Sequence, residues 1–241
     1  MHFAFLGTSG SIPSAVRDTT SIVVAAPEGA VLLDCGGSPV QKLRRAGVDP
    51  LALVAVVVTH IHPDHSYGLP ALVRNLAVLG RGTPLTVYCR PEHVEPLRSL
   101  LSLFNTLERP GMFKLAVRAI ELADNAHLFD LGPLGVRTSP NDHGAMPNFA
   151  VRVDVAGRGS FVYSSDTRPC DTVVALARGV DTLVHEATYS ERDPGRAGVR
   201  RLILTHIGAE YHDAVDALAE EARRRFAGEV EIGRELVPYP L

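Results

Sequence analysis

The sequence predicts an α/β (α+β) fold: an αββα sandwich in which two mixed sheets pack together and helices cover their outer faces. Predicted strands come in two runs, each followed by helices, and this order differs from the strict strand–helix alternation of a Rossmann fold. The segment Leu53–Thr59 is rich in β-branched residues and apolar on both faces, which is typical of a strand covered by layers on both sides. No linker divides the chain, so we expect a single domain over residues 1–241.

Short apolar runs separated by Gly and Pro predict the individual elements. The expected strands are Phe3–Leu6, Ser21–Ala26, Ala30–Asp34, Leu53–Thr59, Leu85–Cys89, Val117–Leu122, Gly135–Ser139, Phe149–Val155, Ser160–Ser164, Thr182–Glu186 and Leu202–Thr205. Longer segments with helical periodicity predict the helices Pro39–Ala46, Leu69–Leu79, Pro91–Phe104, Cys170–Ala177 and His212–Phe226.

Composition excludes several classes of protein. The chain is 46% apolar, too much for a disordered protein, yet no apolar run reaches the ~18–20 residues that cross a bilayer. Its net charge of −3 gives no global basic field for nucleic acid. Three cysteines without a CxxC motif and a start without a signal-peptide pattern predict a cytoplasmic location. Ten histidines remain to be explained.

The segment His60–His65 directly follows the buried strand and contains three imidazoles and one carboxylate, from His60, His62, Asp64 and His65. So many polar groups cannot be buried without partners, but at the end of a strand they can converge on one point. Imidazole and carboxylate together suit zinc, manganese or ferrous iron. The segment therefore predicts a metal site rather than an exposed polar loop.

Three further candidate ligands follow later predicted strands. His143, Asp166 and His206 each come after an apolar strand and a small hydroxyl residue. Taken singly, they can be a turn residue, a helix N-cap and a polar strand end. The repeated pattern makes that coincidence improbable and adds all three to the predicted metal site.

Other motifs extend over nearly the whole chain: Leu6-Gly7-Thr8-Ser9-Gly10, Leu33-Asp34-Cys35-Gly36, Gly68-Leu69-Pro70, Ser165-Asp166-Thr167-Arg168-Pro169-Cys170, His185-Glu186-Ala187-Thr188 and Leu204-Thr205-His206. With these motifs and HxHxDH, the chain resembles the metallo-β-lactamase-fold hydrolases, and within them the branch similar to ribonuclease Z. HxHxDH alone indicates the superfamily, whereas SDTRPC together with HEAT narrows the resemblance to this branch.

The resemblance implies two divalent metal ions, for which we expect zinc, with manganese or iron as alternatives. His60, His62 and His143 would hold the first ion, and Asp64, His65 and His206 the second. Asp166 would bridge them, and Asp34 would orient a ligand imidazole through a hydrogen bond. The other histidines His2, His93 and His127 are expected at the surface.

Such a site predicts a phosphodiesterase, because two metals can activate a shared water and stabilise the charge of an in-line displacement. Asp64 is the expected proton acceptor. The substrate would be a small phosphodiester or an RNA 3′ end, with no membrane partner. The alternatives are an ester, lactone or thioester hydrolase on the same metals, and a metal-binding protein without turnover. Relatives are often dimers, so the resemblance also allows a homodimer.

Two departures from the ribonuclease Z pattern affect this prediction. Glu186 of HEAT would deliver a proton together with a His from a later His-Ser-Thr motif, which this sequence lacks. Two explanations are possible. The chain is a natural short form that uses His185 or His212 as the acid or relies on activated leaving groups, or a segment after Tyr189 is absent from the sequence. We favour the missing segment.

The second departure is that only 22 residues separate His143 from Asp166, too few for the long arm that grips tRNA. Arg192, Arg196, Arg200 and Arg201 could contact phosphates, although a solvated loop rim explains them better.

Overall fold

Two seven-stranded sheets form the structure, a computed structural model that describes residues 1–107, 110–188 and 197–241. In spatial order, the strands of the first sheet are β14 (Pro238–Pro240), β1 (His2–Gly7), β2 (Ser21–Ala26), β3 (Gly29–Leu33), β4 (Leu53–Val57), β5 (Leu85–Cys89) and β6 (Leu115–Ala119). Those of the second are β13 (Glu229–Ile232), β12 (Arg201–Ile207), β11 (Thr182–Ala187), β10 (Ser160–Tyr163), β9 (Phe149–Val155), β8 (Leu134–Pro140) and β7 (Ala126–Leu131).

Both sheets are mixed. Strands β3 to β6 of the first sheet pair in parallel, as do β10 to β13 of the second, and the remaining neighbours are antiparallel. The α-helices are α1 (Pro39–Arg45), α2 (Pro63–Ser66), α3 (Leu69–Val78), α4 (Val94–Leu103), α5 (Asp171–Ala177) and α6 (Val215–Arg225). No helix in the described part of the chain is long and apolar enough to cross a membrane.

Three apolar clusters show how the layers are held together. The central cluster, which includes Phe161, joins inward-facing residues of both sheets. A second cluster contains Leu43 of α1 and Leu72 of α3 together with residues of the first sheet. The third contains Leu176 of α5 and Leu218 of α6 together with residues of the second sheet. The layer order is therefore helices, sheet, sheet, helices, and the predicted αββα sandwich is confirmed.

The elements that the sequence did not predict lie mainly at the edges of the sheets. Strands β13 and β14 have only four and three residues, and β7, although six residues long, is partly exposed. None of the three shows the apolar alternation by which a strand is recognised. The helix expected over His212–Phe226 begins at Val215, because Ala214, with φ −134° and ψ 30°, lies outside the helical region. A separate 3₁₀ turn covers Ala209–Tyr211.

The strand directions bring the candidate ligands to one edge of the sandwich. Strands β8, β10 and β12 run in the same direction, because β9 is antiparallel to both β8 and β10 and β12 continues the parallel part. His143 and Asp166 follow β8 and β10, and His206 is the penultimate residue of β12. His60 to His65 follow β4 of the facing sheet. The site is thus built where carboxyl ends of strands from both sheets meet.

Candidate metal centre

All seven ligands predicted from the sequence lie together in two adjoining groups. Within each group, the potential ligand atoms lie within 4.8 Å of one another. The first group consists of His60, His62, His143 and Asp166, and the second consists of Asp64, His65 and His206.

The first group has the spacing of ligands around one cation. His62 Nδ1 lies 3.0 Å from Nε2 of His60 and 3.2 Å from Nε2 of His143. Asp166 Oδ2 lies 3.9 Å from His60 Nε2 and 4.0 Å from His143 Nε2. Nitrogen ligands of a tetrahedral zinc ion are about 3.3 Å apart at usual Zn–N distances. Three inward-facing imidazole nitrogens at this separation fit a shared metal ion.

Asp166 also reaches the second group, as a bridging ligand must. Its Oδ2 lies 3.1 Å from His206 Nε2, and its Oδ1 lies 3.4 Å from His65 Nε2. Asp64 Oδ2 lies 3.3 Å from His206 Nε2 and 3.5 Å from His65 Nε2. In the described structure, the buried atoms His65 Nε2 and Asp166 Oδ1 have no hydrogen-bond partner. Two orphaned polar atoms that face each other in a buried site fit a metal ion between them.

Asp34 holds His65 from behind and is the centre of a buried polar network. Its carboxylate accepts hydrogen bonds from the backbone N–H of Thr59 at 2.8 Å, from Nδ1 of His65 at 2.8 Å and from the hydroxyl of Tyr163 at 2.9 Å. With Nδ1 donating to Asp34, Nε2 of His65 keeps its lone pair for a metal. The hydrogen bond to His65 is the one that the resemblance implied for Asp34. Nothing in the sequence indicated that Tyr163 would donate to the same carboxylate.

Hydroxyl groups orient two more ligands. Thr59 Oγ1 donates to Asp34 at 2.9 Å and lies 3.2 Å from His60 Nδ1, so the imidazole must be the donor in the second contact. Thr188 Oγ1 lies 2.9 Å from His206 Nδ1. In both rings the outer nitrogen is thereby engaged, and the inner nitrogen faces the centre.

The backbone is strained at the centre. Asp34, Ser165 and His206 have φ values of 58°, 53° and 50°, in the left-handed region that residues other than glycine rarely adopt. Each such residue costs of the order of 1 kcal/mol. The surrounding packing maintains this strain at residues that are, or directly adjoin, candidate ligands.

Charges and burial shift the pKa values of the metal-free site in opposite directions. Burial opposes a charged imidazole, but nearby carboxylates outweigh it, so the pKa of His206 rises to about 10 and that of His65 lies well above its ordinary value. Burial also acts to raise the pKa of Asp166, but His206 and His65 hold it well below the usual range. For His60, burial lowers the pKa far below 6.5.

Glu186, a predicted catalytic residue, is buried and bonded to the backbone. One carboxylate oxygen accepts from the N–H of Thr167 at 2.9 Å, next to Asp166, and the other from the N–H of Thr188 at 3.1 Å. Because Thr188 contacts His206, Glu186 connects the segments that carry these two ligands.

The two histidines predicted as alternative acids belong to neither ligand group. Side chains alternate along β11, so His185 shares the outer face with Leu183, and its Nδ1 lies 2.8 Å from its neighbour's carbonyl oxygen. His212 Nε2 lies 2.8 Å from Ser9 Oγ, which donates to Ile12 O at 2.6 Å, so His212 is the donor to Ser9.

Three other predictions have different outcomes. His93, expected at the surface, is buried at 2% exposure, and the prediction was wrong: its Nε2 donates to Pro147 O at 2.7 Å, which satisfies the buried ring. Arg200 is exposed and pairs with Asp181, as expected for a solvated loop rim. For Arg201 that prediction was wrong, because it is a half-buried residue of β12 that pairs with Glu231. Arg192, Arg196 and the segment after Tyr189 lie outside the described residues.

Comparison with known proteins places these features in a family. The chain matches the family described as Beta-lactamase superfamily domain over residues 30–227. It belongs to that family. A ribonuclease Z of Methanosarcina mazei is 28% identical over 306 aligned positions, which cover 99% of each chain. A ribonuclease Z of Halorubrum lacusprofundi is 29% identical and covers 95% of this chain and 93% of the relative. The predicted family resemblance is thus confirmed.

Solved structures confirm the fold. The metallo-β-lactamase-fold protein YhfI of Bacillus subtilis has a TM-score of 0.81 at 21% identity, covering 100% of this chain and 99% of that one. The short form of human tRNase Z has a TM-score of 0.75 at 21% identity, covering 99% of this chain and 98% of that one.

The sequence alignment with the Methanosarcina mazei relative is at least 65 positions longer than this chain, so segments of that relative have no counterpart here.

Proposed function

We propose that this chain is a phosphodiesterase that depends on two divalent metal ions. The seven ligand side chains that converge in two groups, with two orphaned buried atoms between them, are the observation that supports it most directly. An unpaired buried polar group costs about 1–3 kcal/mol, and a metal ion bound between these two atoms would remove that cost.

The charge of this donor set favours an anionic substrate. Two divalent ions would be held by five neutral imidazoles and only two carboxylates, so the loaded site keeps a positive charge. When bound, two such ions lower the pKa of a shared water and stabilise the charge that develops on the attacking and leaving oxygens of a phosphodiester.

The residues of the chain then have distinct tasks. Asp64, whose Oδ2 lies between His65 and His206, is the proposed proton acceptor for the attacking water. Asp34 and Thr59 keep the ring nitrogens of His65 and His60 directed inward. Glu186 and His185 stay predictions for delivery of a proton to the leaving oxygen.

We propose zinc as the metal, with manganese and iron as alternatives, since five imidazoles and two carboxylates provide the nitrogen-rich donor set that zinc accepts. A cytoplasmic location is supported by three free cysteines, of which Cys35 and Cys89 are buried.

Relatives named ribonuclease Z support an RNA 3′ end as substrate. The short β9–β10 hairpin, which has no room for a long arm, supports a smaller phosphodiester equally. A homodimer is a further proposal, to be checked by light scattering.

The test measures metal content and hydrolysis on the same preparation. We expect about two equivalents of zinc by mass spectrometry and hydrolysis of bis(p-nitrophenyl) phosphate that chelation abolishes and zinc or manganese restores. A 3′-extended tRNA precursor, a cyclic nucleotide and p-nitrophenyl acetate are assayed in parallel. Hydrolysis of the acetate alone would contradict the proposal in favour of an esterase, and two bound metals without any turnover would indicate a metal-binding protein.

Two histidine variants distinguish the loss of a metal ligand from a nonspecific effect of the substitution on folding or activity. His62→Ala removes a ligand of the first group, and we expect metal and activity to fall together. His127→Ala is the control, since His127 is exposed and contacts only Asp130 in the described contacts. Full activity of His62→Ala would refute the metal assignment.

A further inference from the structure

The entrance of the site lies on the side of the first ligand group. The side chain of His143 is 25% exposed, whereas those of Asp166 and Asp64 are only 9% and 6% exposed. His60 and His65 are fully buried. A substrate can therefore reach the metal positions past His143, and residues beside His143 line its path.

Arg168 lies beside this entrance on a backbone that is fixed to the ligand segment. Its N–H donates to Asp142 O at 2.7 Å, and a side-chain oxygen of Asp142 accepts from the N–H of Gly144 at 3.0 Å. The guanidinium lies against Gly144: its Nη2 is 3.4 Å from the position that a Cβ on Gly144 would occupy. Arg168 thus follows the bridging ligand Asp166 by two residues and contacts the residue after His143.

The guanidinium of Arg168 is exposed and has no carboxylate partner among the described residues, where ion pairs extend to 4.0 Å. Two arginines on strands of the second sheet do have one: Arg152 pairs with Asp154 at 2.8 Å, and Arg201 with Glu231 at 2.9 Å. An unpaired guanidinium at the entrance of a positively charged site adds to the attraction for anions. Its planar fork suits two oxygens of a phosphate.

We propose that Arg168 binds a second phosphate of the substrate, outside the phosphodiester that reacts. The enzyme would then prefer phosphodiesters that carry an additional phosphate, such as an oligonucleotide. Arg168 belongs to neither ligand group and lies at the rim, so its partner is a neighbouring group rather than the reacting one. The inference rests on the proposed phosphodiesterase activity and specifies its substrate class.

The test compares two esters with the same leaving group. Thymidine 5′-(p-nitrophenyl phosphate) has one phosphate, and its 3′-phosphorylated form has two. We expect the native metal-loaded enzyme to have about tenfold higher kcat/KM for the doubly phosphorylated ester, mainly through KM, a size that allows for screening of an exposed guanidinium. Arg168→Gln should abolish this preference and change the rate on the singly phosphorylated ester by less than about threefold.

Controls distinguish this proposal from the one on which it rests. Arg158→Gln changes an exposed arginine in the turn between β9 and β10, at the opposite edge of the sheet, and should keep the preference. Arg168→Lys should keep part of it, and raising the salt concentration should reduce it. Equal rates of the native enzyme on both esters, or an equal loss on both in Arg168→Gln, would overturn the proposal. Inactivity on both esters with metal bound would instead refute the phosphodiesterase function.

Discussion

Replacing Tyr163 by phenylalanine removes one hydrogen bond from the buried carboxylate that orients His65. The Tyr163 hydroxyl donates to Asp34 Oδ2 at 2.9 Å, and both side chains are fully buried. Burial, together with the charge of Asp34, raises the pKa of Tyr163 well above its ordinary value, so this donor stays protonated over the accessible pH range. The phenylalanine ring fills nearly the same volume, so the change isolates the hydroxyl.

The expected magnitude follows from this geometry. A hydrogen bond to a charged group contributes about 1.5–3 kcal/mol, and solvent does not screen this one. For a chain of this size, such a loss lowers Tm by about 3–12 °C. Direct partners of metal ligands change affinity about 10- to 100-fold, and Tyr163 acts one bond further away, through Asp34 on His65. We therefore expect a roughly three- to tenfold loss of zinc affinity.

Thermal unfolding of the metal-free protein and zinc competition with a chromophoric chelator measure the two effects. Tyr239→Phe is the matched control: Tyr239 is also buried, at 3% exposure, but its hydroxyl accepts from the N–H of Arg234. It should cost about 1 kcal/mol of stability and leave zinc affinity unchanged. Native-like stability and zinc affinity in Tyr163→Phe, or an equal loss of zinc affinity in Tyr239→Phe, would refute the reasoning.

Two further predictions concern the same centre. Glu186→Gln replaces one carboxylate oxygen by an N–H₂ group that faces a backbone N–H. We therefore expect a loss of about 1–3 kcal/mol in the free energy of unfolding and weaker zinc binding, both measured as for Tyr163→Phe. An unchanged zinc affinity would contradict the connection from Glu186 through Thr188 to His206. Loading zinc at pH 7.5 should release at least two protons, which are followed with an indicator in weak buffer. The raised pKa values of His65 and His206 keep both rings protonated until the metal displaces those protons. The release should decline as pH rises through about 10, where His206 is already neutral, and no release at pH 7.5 would contradict the assigned ligands.

The ligands were predictable because metal chemistry restricts the residue type and because strand ends are local features. His60 to His65 lie just beyond a strand whose β-branched residues are visible in the sequence. His143 lies just beyond β8, and His206 is near the end of β12. The partners behind the ligands were not predictable in this way. Tyr163 and Asp34 are 129 positions apart, and nothing in the local pattern of either residue indicates the other.

Edge strands and isolated polar residues show the same limit. The short strand β14 pairs with β1 from the other end of the chain, and its alternation is too brief to be recognised. His93 looked like a surface residue because its acceptor, the carbonyl of Pro147, is distant in sequence. Arg168 stood within a recognised motif, but its position beside Gly144 depends on how the turns after β8 and β10 meet.

The sequence by itself determined the family, the layered fold and the set of candidate ligands, because each depends on residue type and on short-range periodicity. The tertiary structure alone decided that the Tyr163 hydroxyl donates to Asp34 and that Glu186 bonds to two backbone amides. It also placed the entrance beside His143 and Arg168. Those facts arise where strand ends from two sheets meet. The contacts there join positions far apart in the chain, and only the packed sandwich brings them together.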